Sequence, residues 1–192
     1  MSTKNTKLTT LFTQDTVKAA KALLGSQFWW RPIDEPKHPG LLFRIVETEA
    51  YTEEDPACHA YQTTKGRAAN LYQRPGLAYI YLIYGMYHCL NIVTEPEGRA
   101  GAVLIRALEP VDKALEWKTH GPGRLCKALN ITVATHNGLD LLDPSSPLQL
   151  KLKQPLMQKG IVTTTRIGIS RAKDYPWRFY ELANPYVSVI AK

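Results

Sequence analysis

Residues 100–110, AGAVLIRALEP, form an almost unbroken apolar run with one arginine, Arg106, near its centre. A run of this kind is a strand covered on both faces. A guanidinium carried into such a place without a counter-charge is so costly that a carboxylate partner is required. The fold must therefore bury this strand and bring a carboxylate to its middle. LLFRIVETEAY, residues 41–51, is the obvious source. Its β-branched and aromatic residues read as a strand, and alternation puts Ile45, Glu47, Glu49 and Tyr51 on one side. Two carboxylates on one apolar face repel each other, and a neighbouring arginine relieves that strain.

The other elements assemble around this pair. TQDTVKAAKALLGS reads as a helix capped by Thr13 or Asp15, with Val17, Ala20 and Leu24 on one face and Gly25 at its end. Residues 52–76 have proline, glycine and no stable period, which predicts a long loop with one helical turn, closed by Pro75 and Gly76. Residues 77–84 and 86–94 read as a β-hairpin with Gly85 at the bend. A helix is expected after Pro110, and another in GPGRLCKALNI, with Leu125, Ala128 and Leu129 at helical spacing. LQLKLKQ and GIVTTTRIGIS alternate as late strands. Strands in a row with helices between them predict an α+β fold: a mainly antiparallel curved sheet flanked by helices, with a protruding β-hairpin. Composition does not shift along the 192 residues, so a single domain over 1–192 is expected, with 1–9 a flexible segment.

Twenty-four Lys plus Arg against seventeen Asp plus Glu leave a formal charge of +7. Such a surface attracts polyanions, nucleic acid first among them. The N-terminal stretch is polar and no segment is apolar enough to span a bilayer, which excludes a secreted or membrane-embedded protein and predicts a cytoplasmic or nuclear one. Cys58, Cys89 and Cys126 are widely spaced and form no CxxC, so reduced thiols are expected rather than disulfides or zinc. His88 and Cys89 are successive strand residues facing opposite sides and do not make a metal pair.

The hairpin is aromatic where turns are normally small and polar: YIYLIYGMYHCLN carries Tyr79, Tyr81, Tyr84 and Tyr87 around Gly85. Tyr84 and Met86 lie at the tip, where a large side chain leaves water only if something binds. A tip aromatic on a basic protein is a candidate DNA wedge, and Tyr51 and Tyr81 are suitable walls for a base taken out of its stack. GPGRL offers free N–H groups at a helix start beside Arg124, suited to a phosphate. The two glutamates fit hydrolysis of a glycosidic bond, one carboxylate taking a proton from water and the other supporting it. A structural salt bridge fits the same spacing. So does a nucleic-acid-binding module without catalysis, and a sugar glycosidase would use the carboxylates but neither the charge nor the tip tyrosine.

RIVETEAY, His59, YIYLIYGMYHCLNI, AVLIRALEP, GPGRLCKAL, RIGIS and WRFY, in this order from residue 10 onward, together resemble the alkyladenine (3-methyladenine) DNA glycosylase family. The resemblance implies a monofunctional enzyme without cofactor or metal, working as a monomer on double-stranded DNA that contains damaged purines. By position it makes Glu49 the catalytic base and Arg106 the group that places the water and this carboxylate. It puts the flipped base between Tyr51 and His59 on one side and Tyr81 on the other, with Asn91 clashing with the amine of ordinary guanine. Tyr84, with Met86 beside it, fills the gap in the duplex, and Gly123, Arg124 and Lys127 meet the DNA backbone. Cationic 3-methyladenine and 7-methylguanine are the expected substrates; hypoxanthine and ethenoadenine are harder because a neutral base must be protonated to leave. No lysine stands beside Glu49 or Arg106 to form a Schiff base, so no AP-lyase step is expected.

Overall fold

A computed structural model describes residues 9–112, 116–152 and 160–191. The expected flexible N-terminal segment therefore lies outside the described residues except for its last position. Residues 9–12 are helical; the next helix, α1, spans Thr16–Ala22, and Asp15 caps it by accepting a hydrogen bond from the Lys18 amide at 2.9 Å. Its buried face is Thr16, Ala19 and Ala20, and Gly25 takes a positive φ of 80° just beyond it.

Eight strands follow in one sheet: β1 Gln27–Trp30, β2 Leu41–Thr52, β3 Ala78–Ile83, β4 Tyr87–Val93, β5 Gly101–Pro110, β6 Leu148–Lys151, β7 Ile161–Thr164 and β8 Arg178–Glu181. Their order is β3-β4-β5-β2-β1-β6, with β8 pairing β2 and β7, and every pairing is antiparallel. The sheet curls into a half-barrel with few helices around it, an α+β fold. β5 is buried along its whole length, as its composition requires. The hairpin β3–β4 occupies one edge, and a 3₁₀ helix at Gly66–Tyr72 supplies the helical turn in the long loop.

β2 organises the site, and its simple alternation fails at one point. Ile45 pairs with Leu108 but Glu47 with Ala107, and the next pair is Thr48 with Ile105. Val46 is thus an extra residue on β2, and Arg106 an extra residue on β5. Bulges of this kind bend a strand and re-aim side chains. Phe43, Ile45 and Ala50 join the main core, and the Thr48 hydroxyl donates to the Ala20 carbonyl at 2.8 Å. Ile45 therefore does not share a face with Glu47, Glu49 and Tyr51, because the bulge at Val46 turns the strand over between them.

Helix α2, Pro122–Ala128, begins at GPGRL as expected and buries Leu125 and Cys126. A four-residue helix α3, Val133–His136, and the strand β1 carry no legible periodicity in the sequence. The helix expected after Pro110 falls partly outside the described residues, at 113–115. The described residues on either side are not helical; the Leu108 amide donates to the Thr119 carbonyl and Ala107 bridges His120, so the chain returns extended beside β5. The late alternating segments form only the short strands β6 and β7, and residues 153–159 between them lie outside the description.

Candidate active site

On the outer face of β2 the two glutamates have different surroundings. Glu47 is fully buried and accepts from the Arg106 Nε at 2.9 Å, the Arg178 Nε at 2.8 Å, and both the amide and hydroxyl of Ser188 at 2.7 and 2.9 Å. Four donors on one carboxylate leave it little capacity for chemistry. Glu49 accepts from the Tyr51 hydroxyl at 2.9 Å and the Ile167 amide at 2.8 Å, and Arg106 Nη1 lies 3.2 Å from its Oε2. Arg106 thus joins the two carboxylates, as the buried arginine in the apolar run required. Burial opposes its charge, but Glu49 and Glu47 outweigh that and raise its pKa.

A cavity of about 670 Å³ opens on this face. Tyr51, His59, Tyr81, Cys89, Asn91 and Arg106 line it together with Gly123, Arg171 and the exposed Tyr84 and Tyr87. Glu49 has no exposed surface and sits one side chain behind the wall, covered by Tyr51, Arg106 and Ile167, all three of which face the cavity. Burial, then the neighbouring Glu49, holds the Tyr51 phenol well above its ordinary pKa, so it stays protonated and donates. The His59 ring packs edge-on against Tyr81, with centroids 4.6 Å apart, and its Nδ1 is 2.8 Å from the Tyr79 hydroxyl. A base entering between His59 and Tyr81 would have to part these rings. Burial, then Arg67, lowers the His59 pKa to about 4, so the ring is neutral at pH 7. The Asn91 amide nitrogen donates to the Tyr79 carbonyl at 3.1 Å, which fixes the side chain on the wall.

At the hairpin tip, Tyr84 is 76% exposed and Met86 66% exposed. Tyr84 and Gly85 have φ of 55° and 69°. The left-handed region suits Gly85 and costs a tyrosine conformational energy. Gly123 closes the far side: a Cβ there would stand 3.1 Å from the Tyr87 Cβ, so glycine lets helix α2 and the hairpin approach. Pro122 occupies the first turn of α2, leaving the amides of Gly123 and Arg124 as the outward donors there.

Several residues that matter here had no role assigned from the sequence, although Arg166 and Ile167 lie in RIGIS and Arg178 in WRFY, two blocks of the family resemblance. Arg178, Ser188 and Ile167 reach the glutamates across more than a hundred positions. Arg166 lies 4.6 Å over the Tyr51 ring, on Trp177 and Tyr175 as well, and is paired in a fully buried bridge with Asp55. It backs the tyrosine that faces the cavity. Among the described residues no group of three His, Cys, Asp or Glu side chains is arranged to hold a metal.

The sequence profile described as methylpurine-DNA glycosylase matches residues 10–185, nearly the whole chain. The chain belongs to the methylpurine-DNA glycosylase family. Membership makes it a DNA glycosylase of DNA repair, with DNA as its partner. This glycosylase is 40% identical over 185 residues to a protein of Francisella tularensis, covering 90% of this chain and 93% of the relative. It is 44% identical over 180 residues to one from Synechococcus elongatus, covering 93% and 88%, and 45% identical over 159 residues to one from Carboxydothermus hydrogenoformans, covering 77% and 82%. All three relatives carry the name "Putative 3-methyladenine DNA glycosylase". Among the described residues of this glycosylase no helix is long and apolar enough to cross a membrane.

Proposed function

We propose that this glycosylase flips damaged purines out of duplex DNA into the tyrosine-lined cavity and hydrolyses their N-glycosidic bond, leaving an abasic site. One observation carries the reading: a carboxylate with one donor fewer than Glu47 and a lone-pair site still open, Glu49, stands directly behind a wall of aromatic rings on a basic protein, held by Arg106, Tyr51 and Ile167. Glu49 takes a proton from a water beside Arg106. The water oxygen bonds to the sugar C1′ while the bond from C1′ to the base nitrogen breaks, and that electron pair leaves with the base. An alkylated purine already carries the positive charge that makes it a good leaving group, and it stacks well on electron-rich rings. The substrates are therefore 3-methyladenine and 7-methylguanine first, with neutral hypoxanthine and ethenoadenine the harder cases.

Tyr51, His59 and Tyr81 hold the base, and Asn91, its amide fixed by Tyr79, meets the exocyclic amine of normal guanine. Tyr84 enters the duplex with Met86 beside it, and Gly123, Arg124 and Lys127 contact the backbone. The protein acts as a monomer, in the reducing compartment that holds the DNA, which suits its three buried free thiols.

The test is release of free base from alkylated duplex by the wild type and by Glu49→Gln, with binding to the same duplex measured alongside. Release of 3-methyladenine by the wild type alone, with binding by both, is the expected result. Binding by both with release by neither would assign the protein to non-catalytic DNA binding. Borohydride should trap no covalent adduct; a trapped one would mean an amine-dependent lyase.

A further inference from the structure

We propose that Ser188 is a positioning residue for Arg106 and Glu49, so that the segment following β8 completes the reactive site. The inference rests on the hydrolytic reading given above. Beyond β8 the chain folds back over Glu47: Arg178 donates to the Val189 carbonyl, and the Ala191 amide donates to the Tyr180 hydroxyl at 3.1 Å. Ser188 is thereby placed with its amide and hydroxyl both donating to Glu47, at 2.7 and 2.9 Å. Its oxygen also accepts from Arg106 Nη2 at 3.4 Å.

The guanidinium of Arg106 is consequently held at three corners. Nε meets Glu47, Nη2 meets Ser188, and Nη1 meets Glu49 at 3.2 Å. Only the last contact bears on chemistry, and its geometry follows from the other two because a guanidinium is rigid and planar. The Ser188 hydroxyl donates on one side and accepts on the other, which ties the orientation of Arg106 to the carboxylate that anchors it. Removing the hydroxyl frees Nη2 and lets the plane turn about the Nε contact, carrying Nη1 away from Glu49.

Ser188→Thr and Ser188→Val make the cleanest comparison, since the two new side chains have nearly the same shape and differ in the hydroxyl. Single-turnover base release from alkylated duplex is measured at saturating enzyme and at a temperature well below either thermal midpoint, with duplex affinity and midpoint in parallel. Ser188→Val is expected to release base roughly 10- to 100-fold more slowly than Ser188→Thr at this temperature, with equal affinity and a lowered midpoint, because Glu47 loses a hydroxyl donor. Equal rates in the two variants would overturn the inference and leave Ser188 a structural anchor. So would a slower Ser188→Val whose loss lies in weaker duplex binding, with base release from the saturated complex unchanged. A wild type that releases no base would remove the hydrolytic reading itself, a result distinct from either.

Discussion

Glu47 and Glu49 are two residues apart on one strand and meet the same arginine, yet their environments assign them different work. Glu47 is an anchor: two arginines and both polar groups of Ser188 converge on it in a fully buried position. Glu47→Ala leaves Arg106 and Arg178 buried without their counter-charge, and should lower stability by about 3–5 kcal/mol, read as the urea midpoint. Glu49→Gln keeps one acceptor oxygen, either for Tyr51 and Arg106 or for Ile167, and leaves no buried arginine without a carboxylate because Glu47 remains, so it should cost less stability than Glu47→Ala while abolishing base release. A variant pair with the opposite pattern would exchange the roles given to the two carboxylates. Spacing could pick out the pair but could not rank its members, because the ranking depends on donors far along the chain.

The hairpin trades stability for an exposed aromatic tip. Tyr84 has the left-handed conformation that costs an L-residue roughly 1–2 kcal/mol, and it makes no buried contact in return, being 76% exposed. Tyr84→Gly should therefore leave the thermal midpoint unchanged or raise it, while weakening binding to a lesion-containing duplex. A lowered midpoint with unchanged binding would mean that the tip is an ordinary turn. The hairpin was legible in the sequence from its period-two pattern and Gly85. The strand β1 was not, since its four residues QFWW have no alternation to read, and its place is decided by pairing with β2 and β6. The double bulge that separates Ile45 from Glu47 is likewise a product of pairing, not of composition.

Two histidines make the stability of the whole molecule depend on pH. Burial lowers the pKa of both His59 and His136 to about 4. A folded-state pKa below the unfolded value of about 6.5 means that the unfolded chain binds more protons between the two. The contribution is fully present above pH 6.5, is lost progressively as pH falls toward 4, and changes no further below that. The urea midpoint should thus already decline between pH 6.5 and 5, before most carboxylates titrate; a flat midpoint there would mean that neither ring is buried as neutral. Net charge acts at the same scale. With +7 overall, duplex affinity should fall steeply with added salt, log–log linear with a slope of several counterions. An affinity indifferent to salt would exclude a DNA-backbone contact. The longer elements, the need of Arg106 for a carboxylate, the aromatic tip and the family are written in local pattern and composition, because periodicity, charge burial and motif order are properties of short stretches. Which glutamate is saturated, what backs Tyr51, and how Ser188 and Arg178 come to hold the site were decided only when the sheet curled and brought distant residues to β2, since contacts across a hundred positions leave no trace in the spacing of either partner.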